Sequence, residues 1–337
     1  MRAVVFVQNA VRVDDVPPPR IQEPGDAIVR VSQTSICGSD LHLLEGKTPG
    51  MRDGSVIGHE FVGVVVESGP AATKHPEGTR VVGSFLIACG RCTACRARRF
   101  NHCDERRALG LGTLTGDLDG AQAELVRVPD ADVNLLALQG HLASLSDENA
   151  LFAGDVLTTG MYAAHLAEAA EGESVTVVGG GPIGLFAAAA ARSMGAAVRV
   201  VDADEERVKL ARERFGFDAG LTPGETESDA AVEAVGSVGA LKTAMRAVRP
   251  GGRIAVIGVY GRERYDLPLG TVWARGLDLR FSGMANIQAH WLDALAAVSS
   301  GEIEPGRAVT HRLPLERAEE GYQLFRERRA LKVVLTP

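Results

Sequence analysis

The 337-residue chain has no long apolar run; its longest weakly apolar stretch, Pro182 to Ala191, is rich in Gly and Ala and stops at Arg192. A bilayer span needs roughly 20 apolar residues, so no membrane segment is expected. A cleavable leader is not expected either. The first residues, Met1-Arg-Ala-Val-Val-Phe-Val-Gln, carry a short apolar run without a small-residue cleavage site and read as a strand, which points to the cytoplasm. Basic charge is not in excess: the net charge is -7, whereas a nucleic-acid partner calls for a concentrated basic surface. Cysteine is sparse, at five residues, and in a reducing compartment these are expected to be metal ligands or catalytic groups rather than disulfides.

What is present is an ordinary globular composition, 45% hydrophobic and 23% charged, at a length that suggests two domains. To about residue 150, short β-branched runs alternate with Gly and Pro: Ala27 to Val31, Phe61 to Glu67, Arg80 to Ile87 and Ala123 to Pro129. Then the texture becomes strand and Ala-rich helix in alternation. Ser174 to Val178, Ala197 to Asp202, Ala230 to Ala234 and Arg253 to Val259 read as buried strands, the last entered through the turn Pro250-Gly251-Gly252. Such alternation implies βαβ units on a parallel sheet. Helices are expected over Ala289 to Val298 and Glu316 to Arg328, and a strand over Lys332 to Leu335.

Four of the five cysteines stand as C-x2-C-x2-C-x7-C at Cys89, Cys92, Cys95 and Cys103. Close spacing lets successive sulfurs aim at one point, and four thiolates close a tetrahedral zinc shell, so a structural zinc is expected here. Arg91, Arg96, Arg98, Arg99, Arg106 and Arg107 crowd the same stretch and are expected to offset the thiolate charge. His102 is expected to be solvated.

The strand Ser174 to Val178 runs into Gly179-Gly180-Gly181-Pro182-Ile183-Gly184, and a helix follows. In that context G-x-G-x-x-G signals a dinucleotide site. Gly179 permits the tight turn, Gly181 lets a pyrophosphate approach the backbone, and Gly184 allows close helix packing, with the helix N-terminus opposite the phosphates. Asp202, eighteen residues after Gly184, can accept hydrogen bonds from the adenosine ribose hydroxyls and would repel a 2′-phosphate; no cation follows it in sequence until Arg207, so NAD is expected over NADP.

The remaining cysteine lies in Cys37-Gly38-Ser39-Asp40-Leu-His42, and downstream stands Gly58-His59-Glu60-Phe-Val-Gly63 followed by Val-Val-Val-Glu-Ser-Gly69. This G-H-E-x2-G-x5-G pattern resembles the signature of the zinc-containing medium-chain dehydrogenases, the alcohol dehydrogenase family. The four-cysteine stretch and glycine motif fall in that family's order, so the resemblance spans essentially the whole chain. It implies a GroES-like β-rich catalytic domain, 1–150 with 286–337 and a structural-zinc lobe at 86–107, beside a Rossmann doubly wound domain at 151–285. A second, catalytic zinc is implied at Cys37, His59 and a third ligand; the matching segment Phe152-Ala-Gly-Asp155-Val-Leu-Thr158-Thr159-Gly160 makes that ligand Asp155. Ser39 corresponds to the family hydroxyl that exchanges a proton with the substrate oxygen, His42 to a residue that can pass it outward, and Glu60 to a group behind the ligands. Thr159 corresponds to the threonine packed against the nicotinamide.

The expected activity is hydride transfer between an alcohol or polyol and NAD, using two zinc ions per chain and giving a ketone or aldehyde. The carboxylate ligand and the small Thr158-Thr159 neighbourhood favour secondary alcohols or polyols. A non-catalytic NAD(H)-binding or redox-sensing protein on the same fold is the alternative, and would bind cofactor without turnover. Expected partners are a small-molecule substrate and further copies of the chain, as a homodimer or homotetramer, with no nucleic acid or membrane.

Overall fold

The computed structural model describes residues 1–46, 50–261 and 265–337 and divides into two units: Met1–Asp155 with Asn286–Ser299 and Ala308–Pro337, and Val156–Ala285 with Ser300–Arg307. In the first unit the strand Ala27–Ile36 runs through a seven-stranded sheet. It pairs antiparallel with Glu60–Ser68, with Leu125–Val128 and with the last strand, Lys332–Thr336. Alternating apolar side chains such as Ala27, Val29, Phe61, Val65, Val81 and Val126 fill the core on one side. Register places Ser35 opposite Glu60 and Ile36 opposite Val333. Consequently the residue after one strand, Cys37, and the residue before its neighbour, His59, meet at the same end of the sheet.

The expected single strand Arg80 to Ile87 is interrupted, forming Arg80–Gly83 and Leu86–Ile87. Ser84 is the cause: its hydroxyl donates to the Leu86 carbonyl at 2.8 Å and accepts from the Leu86 N–H at 3.2 Å, offering the backbone a turn in place of the ladder. Beyond the break, the Phe85 N–H donates to the Gly154 carbonyl at 2.9 Å. That bond ties the segment carrying Asp155 to the sheet.

The second unit is a six-stranded parallel sheet ordered Asp218–Gly220, Ala197–Val201, Ser174–Val178, Ser228–Glu233, Val248–Val256, Asp278–Phe281. The chain steps outward one way from Ser174–Val178, then returns to start outward the other way at Ser228–Glu233. In such sheets ligands bind beyond the strand ends at this reversal, and Gly179 follows directly there. One strand expectation needs correction, and one strand was not foreseen. Pro250-Gly251-Gly252 lies inside the strand Val248–Val256, whose pairing shifts between Ser228 and Ala230 to absorb it, and the edge strand Asp278–Phe281 carries too little hydrophobic patterning to be read from sequence.

Three neighbouring strands are pinned at their starts by Asp229, which accepts from the Ser174 N–H at 2.9 Å, the Ser174 hydroxyl at 2.8 Å and Arg249 Nε at 2.9 Å. The Ser174 N–H, then Arg249, pull its carboxyl down to about 2. A depressed folded-state pKa contributes stability above the unfolded value, and that stability is lost as pH falls through the folded value. Asp229→Asn should therefore cost about 1–2 kcal/mol in urea unfolding at pH 7. The difference from wild type should shrink between about pH 4 and pH 2.

Candidate active site and metal centres

Cys37, His59 and Asp155 come from three chain segments, yet their donor atoms lie within 4.8 Å of one another and all three side chains are buried. Asp155 Oδ2 is 3.2 Å from His59 Nε2 and 3.5 Å from Cys37 Sγ. Zinc bonds of about 2.0–2.3 Å in a tetrahedron imply ligand separations of roughly 3.3–3.8 Å, so this donor set fits a zinc ion. Thiolate, carboxylate and neutral imidazole together balance a dication, and three protein donors leave the fourth position open.

The electrostatics at these donors agree with a pocket built for positive charge. Burial alone would push the His59 imidazole down, but Asp40 and then Asp155 hold it well above its ordinary range. Burial pushes the Cys37 thiol up, and Asp155 adds to this. A cation taking this site must displace both protons.

Around the donors lie groups with distinct contacts. Ser39, in the short helix Gly38–Leu44, brings Oγ to 3.2 Å from His59 Nε2; His42 sits half-buried one turn further along. Asp40, fully buried, places Oδ1 3.3 Å from His59 Nδ1. It was visible in the Cys37-Gly38-Ser39-Asp40 motif but given no role, and it is the carboxylate that faces the imidazole nitrogen turned away from Asp155. Glu60 bonds to the Ser35 hydroxyl and to Lys332 Nζ, with both charged side chains wholly buried. Sequence reasoning missed Lys332, because lysine is rarely buried and its partner is 272 residues away.

The four-cysteine cluster is equally tight: the sulfurs of Cys89, Cys92, Cys95 and Cys103 lie within 4.8 Å of one another. Cys103 Sγ accepts from the Cys89 N–H at 3.3 Å and the Glu105 N–H at 3.4 Å, and Cys92 Sγ from the Cys95 N–H at 3.5 Å. The N–H groups of Asp104 and Cys95 pull the Cys92 thiol down to about 6. Such bonds neutralise thiolate charge locally. The neighbouring arginines do less of this than expected, since Arg91 pairs with Glu105 and Asp130, and Arg107 with Asp130. All five cysteines are free, and His102 is exposed.

In the second unit Gly179 has φ +115°, in the left-handed half of the map, and a Cβ on Gly184 would collide with the Gly179 carbonyl. Gly181 caps the helix Pro182–Ser193, with Pro182 in its first turn, and a Cβ added there would meet only Arg207 within 4 Å, at 3.5 Å. Ile183 is half-buried in the same turn. Asp202 Oδ2 accepts from the Gly180 N–H at 2.6 Å, and Arg207 Nη1 lies 3.8 Å from that oxygen. The fold thus brings beside Asp202 a cation that the sequence set five positions away. Thr158 and Thr159 are buried in the first turn of the helix Val156–Leu166.

Comparison with known proteins agrees with this architecture. Residues 23–138 match the alcohol dehydrogenase GroES-like domain and residues 182–300 the zinc-binding dehydrogenase domain. The chain is 35% identical to the zinc-type alcohol dehydrogenase-like protein AdhB of Bacillus subtilis, over 100% of both chains. Among solved structures, alcohol dehydrogenase TADH from Thermus sp. ATN1 superposes with a TM-score of 0.93 at 41% identity, covering 100% of this chain and 99% of that one. A chain from Sinorhizobium meliloti 1021 solved with bound NADP gives 0.84 at 28% identity, covering 100% and 99%. A β-rich GroES-like unit and a Rossmann sheet in one chain, with two zinc-type donor sets, define a zinc-dependent, nicotinamide-linked oxidoreductase. The chain belongs to the zinc-containing medium-chain alcohol dehydrogenase family.

Proposed function

We propose that the chain interconverts a secondary alcohol or polyol and its carbonyl compound with NAD. Cys37, His59 and Asp155 would hold the catalytic zinc, and Cys89, Cys92, Cys95 and Cys103 a structural one. The observation that carries the reading is the convergence of thiol, imidazole and carboxylate from three segments beside the Ser39 hydroxyl. When bound, zinc supplies Lewis acidity at the substrate oxygen and the coenzyme accepts the hydride.

The residues of the chain manage the proton. Oxidising an alcohol removes a hydride from carbon and a proton from oxygen; Ser39 is assigned to take that proton and His42, one helical turn on, to pass it to water. Asp40 fixes the His59 ring, while Glu60, held by Ser35 and Lys332, sets the charge behind the ligands. Thr159 is assigned to the nicotinamide face, and Gly179, Gly181, Pro182, Ile183 and Gly184 to the pyrophosphate.

NAD is favoured over NADP because Asp202 presents a carboxylate where a 2′-phosphate would lie, and Arg207 is already partnered by it. Asp202→Asn should lower the NAD-to-NADP ratio of kcat/KM by at least about tenfold, read from initial rates with each coenzyme. An unchanged ratio would contradict the assignment.

A homodimer or homotetramer is supported by large apolar side chains left exposed in the second unit. The edge strand Asp278–Phe281 leaves Phe281 61% exposed, and the helix Leu269–Arg275 leaves Trp273 84% exposed. Among the described residues no helix is long and apolar enough to cross a membrane, and the free thiols suit the reducing cytoplasm.

The deciding experiment is an NAD-coupled panel of alcohols, polyols and aldehydes with zinc-replete protein and a Cys37→Ser control. Turnover with a secondary alcohol or polyol that disappears in the control supports the reading. No NADH signal across the panel, or one zinc or none per chain, would defeat it.

A further inference from the structure

Behind His59 a line of buried polar groups runs to the helix Ala318–Arg326 near the C-terminus. Gln122, fully buried, donates from Nε2 to the Ser35 carbonyl at 3.1 Å and to Asp40 Oδ2 at 3.3 Å, and its Oε1 accepts from the Tyr322 hydroxyl at 2.8 Å. Asp40 Oδ2 also accepts from the Cys37 N–H at 2.9 Å. Asp40 Oδ1 and His59 Nδ1 face each other at 3.3 Å as a buried ion pair short of hydrogen-bond geometry, and among the described residues neither atom has a hydrogen-bond partner, so each is the other's nearest complement.

The donors and acceptors fix the direction of this line. Turned over, the Gln122 amide would point its oxygen at a carbonyl and a carboxylate, which only accept; these two acceptors select the orientation, and the Tyr322 hydroxyl donates to the oxygen left facing it. Space for the amide exists because residue 58 is glycine. A Cβ at Gly58 would run into the Gln122 side chain, 2.7 Å from Cδ, and Gly58 holds φ +88°. The glycine that precedes His59 is thus required by a side chain packed behind it.

We infer that Gln122 and Tyr322 are positioning residues for the catalytic zinc site, acting through Asp40 on His59. An imidazole presents one nitrogen to a metal when the other carries the proton and its acceptor is fixed in place. Asp40 meets that condition because two donors from separate segments, the Cys37 N–H and Gln122 Nε2, hold Oδ2 and leave Oδ1 for the imidazole. Tyr322 supports the carboxylate directly and through the amide, and the carboxylate sets its free oxygen against the ring. This rests on zinc being held by Cys37, His59 and Asp155.

The test uses Tyr322→Phe, Gln122→Met and the double variant, each loaded with zinc and, separately, with cobalt. In all three a chelator should strip the Cys37-site metal at about 10- to 100-fold lower concentration than in wild type, with the four-cysteine zinc retained. The cobalt absorption of the Cys37 site should shift, and kcat should fall more than KM changes. The double variant should lose metal at least as readily as Gln122→Met alone, because Tyr322 faces Asp40 directly as well as through the amide. Wild-type protein holding a single zinc would overturn the zinc reading itself. Two zincs in wild type, with variants that lose melting temperature but keep the wild-type cobalt spectrum and chelator resistance, would overturn the positioning role.

Discussion

Asp155→Ala should leave one zinc per chain where two are expected in wild type, and should lower kcat/KM by at least about 10³-fold. Removing this carboxylate takes away the oxygen that lies 3.2 Å from His59 Nε2 and 3.5 Å from Cys37 Sγ, so two donors remain where three converged. Two donors cannot hold a zinc firmly with the charge of the set reduced to one thiolate. Loss of the Lewis acid withdraws several kcal/mol of stabilisation from the charge developing on the substrate oxygen, and each ~1.4 kcal/mol is a factor of ten in rate. The four-cysteine cluster supplies its own donors from Cys89 to Cys103 and should keep its ion. Asp155→Cys restores an anionic donor and should retain both zincs with part of the activity. Metal analysis beside initial rates checks this; two zincs in Asp155→Ala would remove Asp155 from the ligand set.

How legible these features were depended on sequence separation. The four cysteines and the glycine motif declare themselves because their ligand geometry is built from neighbours in the chain, at Cys89–Cys103 and Gly179–Gly184. The parallel sheet was legible from the alternation of buried strands and Ala-rich helices. Asp155 could be named only through the resemblance, since nothing local distinguishes it from an acidic residue ahead of a helix; the fold supplies the evidence by hanging Gly154 on Phe85. Tertiary pairing set what was missed. Gln122 meets Asp40 across 82 residues and Tyr322 meets Gln122 across 200, and neither residue type announces burial. The break at Ser84 turned on one hydroxyl competing with a strand ladder, a detail below the resolution of patterning.

Lys332→Met should lower the melting temperature on the order of 10 °C. The lysine is wholly buried on the last strand, its ammonium donating to the Ile36 carbonyl at 2.8 Å and to Glu60, 5.3 Å from the centroid of the Phe152 ring. Burial works against that charge, but Glu60 outweighs it and holds the ammonium protonated above the ordinary lysine range. Methionine keeps most of the volume and removes the cation, leaving Glu60 with the Ser35 hydroxyl as its one remaining hydrogen bond among the described residues. An uncompensated buried carboxylate of this kind costs about 3–5 kcal/mol, whereas an intact buried pair contributes little net, because desolvation offsets its attraction. Lys332→Met combined with Glu60→Gln should therefore recover most of the loss. Thermal denaturation of wild type, both single variants and the double separates the two possible causes. If the double variant is no more stable than Lys332→Met, the cost lies in packing against Phe152 and Ile36 and not in a stranded charge.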